Sequence, residues 1–95
     1  MFLLITTYLR PLEEVEPLMP EHMTWLDQHY EAGMFLLSGR KAPRTGGVIL
    51  ARAENRATLE KVVTQDPFAQ AGVVQYDIVE FAPTRAAAGF ANLLS

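Results

Sequence analysis

Residues 2–10 read Phe-Leu-Leu-Ile-Thr-Thr-Tyr-Leu-Arg, β-branched and aromatic side chains that are apolar at both alternating sets of positions. That is the pattern of a strand covered on two sides. Pro11 cannot extend it. Glu13 and Glu14 follow where a helix start favours negative charge. Pro17 and Pro20 interrupt the next stretch, so a short turn precedes a main helix over 18–32. There Met19, Met23, Leu26 and Tyr30 recur at steps of three and four and predict one buried stripe. Glu21, Thr24, Asp27, Gln28 and Glu31 fall opposite, and Gly33 suits a left-handed terminator.

Residues 34–41 and 46–53 read as two further strands joined by a hairpin loop, Ala42-Pro43-Arg44-Thr45. Asn55 can cap a second helix whose Leu59, Val62 and Val63 share a face. That helix must stop near Gln65, because the residue before Pro67 avoids helical backbone. Residues 73–82 form a fourth strand with Val74, Tyr76, Ile78 and Glu80 on one face, closed by Pro83. The alanine-rich stretch 84–94, with Phe90, Leu93 and Leu94, is expected to be a short helix or an arm.

The order β-α-β-β-α-β defines an α+β, ferredoxin-like fold: a four-stranded antiparallel sheet with both helices on one face and a C-terminal helical tail. One domain is expected over 1–95, with its core in 1–83 and its tail in 84–95. The sheet's other face is then left open. Leu3, Ile5, Phe35 and Leu37 are too apolar to leave it wet, which predicts a homodimer, or a higher oligomer, with sheets packed face to face.

Composition narrows the class. A chain of 95 residues buries only about 60–65% of the surface its unfolded form exposes. It has no cysteine, so no disulfide, thiol nucleophile or zinc ribbon is available, and a partner subunit is the simplest source of further buried area. The absence of cysteine is compatible with a cytoplasmic location. The formal net charge of −3 argues against a nucleic-acid surface. No positive charge precedes the apolar start, and Arg10 ends it far short of the roughly 20 residues of a membrane span.

Only two histidines are present. At about 100° per residue, His22 falls at the edge of the Met19–Met23–Leu26 stripe, and His29 lies on a similar bearing. A ring at such a margin can face a cavity while a neighbour holds its other nitrogen, as general acid/base work requires. It can equally be a boundary histidine closing the core. Asp66, in Asp66-Pro67-Phe68, is a natural cap for a short helix begun by proline. It can also orient His22 and balance its charge; a carboxylate has two oxygens, so the roles are compatible.

Ser38-Gly39-Arg40-Lys41-Ala42-Pro43-Arg44-Thr45-Gly46-Gly47 holds three cations that could receive an anionic group. It lacks the spacing of a phosphate-binding loop and equally suits a solvated hairpin. Tyr8 could donate a hydrogen bond into a site or simply pack. Trp25 and the methionines read as packing, and Glu13, Glu14 and Glu16 as a solvated helix start. No metal-ligand spacing and no dinucleotide fingerprint is present, so neither metal nor cofactor is expected.

With the elements placed, the chain resembles the YciI-like (YCII-related) family. The resemblance rests on Arg10-Pro11-Leu12-Glu13-Glu14-Val15, Pro20-Glu21-His22 with Trp25-Leu26, and Ala32-Gly33 leading into Leu37-Ser38-Gly39-Arg40. It continues through Pro43-Arg44-Thr45-Gly46-Gly47-Val48 to Asp66-Pro67-Phe68. It implies a dimeric α+β barrel and an active site of one His and one Asp, which map onto His22 and Asp66, with Ser38 lining the same pocket. It also implies cofactor-free proton removal and elimination on small hydroxylated, often chlorinated, aromatic rings.

The expected mechanism has His22 as base and Asp66 as its partner, with Arg40 and either Ser38 or Tyr8 at the oxyanion. Two other classes stay open: a non-catalytic small-molecule-binding or accessory protein, and a cofactor-free monooxygenase or muconolactone-isomerase-like enzyme.

Overall fold

The structure, a computed structural model, describes residues 1–94. Strand β1 (Phe2–Tyr8) alternates in burial although its sequence is apolar throughout. Phe2, Leu4 and Thr6 are buried, while Leu3 and Ile5 are only half-buried. The strand ends two residues before the predicted limit, with Leu9 left exposed. Helix α1 (Leu12–Val15) and a 3₁₀ turn (Glu16–Leu18) lead into helix α2 (Met19–Glu31). Strands β2 (Phe35–Arg40) and β3 (Gly47–Ala51) form the hairpin. Helix α3 (Arg56–Val63) and the one-turn helix α4 (Pro67–Gln70) precede strand β4 (Val74–Glu80). Among the described residues of the tail, only Ala91–Leu94 is regular, as a 3₁₀ turn.

The four strands pair antiparallel in the order β2-β3-β1-β4. Residues paired across strands share a face, so the register divides the sheet. Phe2, Leu4 and Thr6 lie with Ile49 and Ala51 on one face, and with Tyr76 and Ile78 across β4. Helices α2 and α3 cover that face with Trp25, Leu26, Leu59, Val62 and Val63. Leu4 and Leu59 are fully excluded from solvent, each contributing about 2 kcal/mol of burial. Trp25 also donates its Nε1–H to the Val62 carbonyl at 3.2 Å, which ties the two helices together and satisfies a buried donor.

Leu3, Ile5, Val48 and Leu50 occupy the opposite face, together with the exposed Leu37 and Val79. Phe35 does not join them as expected; it is 2% exposed and belongs to the core. The reason is a bulge. Phe35 pairs with Ala51 but Leu37 pairs with Leu50, so Leu36 is an extra residue and the parity of β2 changes there.

Cap chemistry follows the sequence. The Asn55 side chain accepts from the Thr58 backbone N–H at 2.9 Å, and Asp66 does the same for Phe68. Gly46 is required by close approach: a Cβ there would stand 1.9 Å from the Thr6 carbonyl oxygen. The Gly46–Gly47 backbone can therefore lie against β1, where Gly47 N–H donates to the Thr6 hydroxyl at 2.8 Å.

Candidate active site

The buried face of α2 differs from the predicted stripe. It runs through Met19, His22, Trp25, Leu26, His29 and Tyr30, while Met23 is 48% exposed. The face is rotated because α2 packs on two clusters. Trp25 and Leu26 enter the main core, and Met19 packs on a second cluster built from Val15, Phe68, Val73 and Val74. His22 thus sits in the middle of the inward face rather than at its margin. Its ring lies between the clusters, stacked on Phe68 with centroids 3.9 Å apart and planes within 8°. Trp25 stands 5.6 Å away on its own helix.

Asp66 is the buried polar centre of this seam, with no exposed surface. As an N-cap side chain does, Asp66 bonds the second helical residue: Oδ1 accepts from the Phe68 backbone N–H at 3.0 Å, and Pro67 at the first position has no N–H to leave unpaired. The same oxygen lies 2.7 Å from His22 Nδ1. Oδ2 accepts from the Tyr76 hydroxyl at 2.5 Å. A buried charge is costly unless its oxygens are satisfied, and here three donors converge on it. Burial, then the charge of Asp66 and the hydrogen bond to it, push the Tyr76 phenol far above its ordinary range. Tyr76 therefore remains a donor. An ionised carboxylate only accepts, so the neutral His22 ring carries its proton on Nδ1 and leaves Nε2 as the lone-pair nitrogen.

His22 forms part of the wall of a cavity of about 250 Å³. Met19, Leu26, Ile49 and Phe68 make it mainly apolar, and Tyr8, Ser38 and Arg40 add polar groups. The bulge at Leu36 is what brings Ser38 and Arg40 there, since Ser38 pairs with the core-facing Ile49. The Ser38 hydroxyl is 2.5 Å from the Tyr30 hydroxyl. Tyr8 meets Phe68 edge-on at 6.5 Å. Arg40 is exposed and has no ion pair among the described residues, so its charge is available at the rim.

Of the residues singled out from the sequence, His22, Tyr8, Ser38 and Arg40 line this cavity and Asp66 stands directly behind His22. His29 does not line it, Lys41 donates to the Thr7 hydroxyl and Arg44 pairs with Glu16. Three neighbours of the site were not singled out: Phe68, Tyr76 and Tyr30. Phe68 could have been suspected from its place beside Asp66-Pro67, and the alternation of β4 had grouped Tyr76 with Val74, Ile78 and Glu80 on one face. Nothing local marks Tyr30 as Ser38's partner.

Among the described residues, no three His, Asp or Glu side chains converge as a metal site would need. No helix there is long and apolar enough to cross a membrane.

Sheet order and helix placement define a ferredoxin-like α+β protein with a pocket between sheet and helices. The chain belongs to the YCII-related domain family, whose profile matches residues 1–82. Among solved structures it is similar to 5-chloro-2-hydroxyhydroquinone dehydrochlorinase from Burkholderia phenoliruptrix AC1100, in complex with 2,5-dihydroxybenzoquinone. The TM-score is 0.71 at 20% identity, over 85% of this chain and 93% of that one. At that identity the likeness is one of fold. No curated protein matches the chain in sequence.

Proposed function

We propose that the chain is a cofactor-independent acid/base enzyme acting on a small hydroxylated aromatic or carbonyl compound. The observation that carries this reading is the 2.7 Å contact between His22 Nδ1 and Asp66, made behind a ring that borders the cavity. His22 Nε2 takes a proton from an O–H, or from a C–H beside a carbonyl. Asp66 keeps the ring in one tautomer and balances the imidazolium that forms. The electron pair left behind moves into the substrate and expels a leaving group as its anion, so no electrons are lost or gained overall. Arg40, with Ser38 or Tyr8, faces the developing oxyanion. The apolar walls suit a flat ring, and a solved structure of the same fold, a dehydrochlorinase, holds a dihydroxybenzoquinone.

The test is chloride release from a panel of chlorinated hydroxybenzenes, followed by ion chromatography under air and under nitrogen. Turnover should survive without oxygen and fall by about 10²–10⁴ in His22→Ala. Equal turnover by that variant would remove His22 from the reaction. Binding without any product would favour the accessory-protein reading.

We also infer that a second copy covers the open sheet face, because Leu3, Ile5, Leu37, Leu50 and Val79 form an apolar surface there. Light scattering should give twice the chain mass, and Leu37→Glu should return the monomer. A wild-type monomer at micromolar concentration would refute the dimer.

A further inference from the structure

Tyr76 takes no part in the chemistry proposed above, yet it makes the second anchor of the carboxylate behind His22. We infer that Tyr76 is a positioning residue, whose hydroxyl clamps Asp66 Oδ2 so that Oδ1 alone is presented to the imidazole.

The argument starts from the freedom of an aspartate side chain. Rotation about Cβ–Cγ is soft and nearly two-fold, so a carboxylate held at one oxygen can swing and exchange its oxygens. Oδ1 is held from one side by the Phe68 N–H, which belongs to α4. Oδ2 is held from the other by Tyr76 on β4. Two anchors on separate elements fix the plane of the group. Tyr76 is well rooted: its backbone pairs with Thr6 in the sheet, and its ring packs against both apolar clusters.

The charge distribution argues the same way. Oδ1 already receives two donors, whereas Tyr76 is the one donor to Oδ2 among the described residues. Asp66 is fully buried, so bulk water does not replace a lost partner. Without the hydroxyl, Oδ2 becomes an unsatisfied buried acceptor, and the carboxylate relaxes by turning away from the geometry His22 needs. The catalytic consequence rests on the reading of His22 as a base; the structural consequence does not.

Tyr76→Phe in protein labelled with ¹⁵N-histidine separates the two. In the wild type the His22 ring should show one tautomer, with a hydrogen-bonded, slowly exchanging Nδ1 proton. In Tyr76→Phe that proton should be lost to exchange and the two tautomers should mix, while His29 and the circular dichroism stay unchanged. A retained His22 signature would overturn the proposal whatever the activity.

Should the phenylalanine variant not fold, 3-fluorotyrosine at position 76 keeps the hydroxyl but makes it a stronger donor. The Nδ1 proton resonance should then move, and a fixed resonance would refute the clamp. With a turned-over substrate in hand, Tyr76→Phe should lower kcat by about tenfold or more at nearly constant KM. Loss of the signature with unaltered kcat would leave the clamp standing and defeat the reading of His22 as the base.

Discussion

The two histidines of α2 lie on one inward face of the same helix, and both have Trp25 as an aromatic neighbour. Their surroundings then diverge. His22 faces a carboxylate with no exposed surface and a cavity. His29 meets the rings of Trp25 and Phe35 at 5.4 and 5.1 Å, and its ring has no hydrogen-bond partner within the protein among the described residues. Burial accordingly pulls the His29 pKa below the ordinary histidine value. A helix bearing identifies which side chains point inward; what they meet is settled by elements distant in sequence.

The largest effect is expected at the centre of the His22 seam. Asp66→Ala removes the acceptor for three donors and the cap of α4, leaving a partly buried tyrosine hydroxyl and a ring nitrogen without their partner. The cost should be about 4 kcal/mol, read as a lower urea midpoint at unchanged slope. His22→Ala keeps the Phe68 and Tyr76 bonds to Asp66 and loses the stacking on Phe68 and the bond to Asp66 Oδ1, so it should cost about 2 kcal/mol. If His22→Ala proved the more destabilising, the carboxylate would not be the centre of the seam.

The smallest effect belongs to His29, and its sign is fixed. With the folded value depressed, the unfolded chain binds more protons between that value and about 6.5. Stability from His29 is therefore complete above about pH 6.5 and is lost as pH falls toward the folded value. His29→Gln removes this dependence. The melting temperature of the wild type should fall more steeply than the variant's between pH 7.5 and 5.5. Parallel curves would mean that His29 is no drier than the bulk.

Local signals were sufficient for the frame of the molecule. Proline and glycine positions, the Asn55 and Asp66 caps and the alternation of β4 each act through bonds within a few residues, so they place the strands and helices from sequence. The strand order and the cover on one sheet face follow once the β-α-β-β-α-β order is known. The family resemblance added the pairing of His22 with Asp66, which spacing alone had left open between a catalytic pair and a boundary histidine beside a cap.

What the sequence left undecided depended on contacts between distant segments. The stripe of α2 was displaced because two clusters, not one, compete for its apolar side chains, and Met23 was left half-exposed on the wall of the cavity. Phe35 entered the core, and Ser38 and Arg40 reached the cavity, because one extra residue in β2 reverses the alternation at Leu36. A bulge is a choice about pairing, and a strand's own residues do not reveal it. The partnership of Tyr76 with Asp66 depends on how β4 lies against α4, and that of Tyr30 with Ser38 on how α2 crosses β2. The sequence by itself determined the elements, their order and the chemical groups available. Tertiary structure decided which of those groups became neighbours, because hydrogen bonds and desolvation act over a few ångströms of space rather than along the chain.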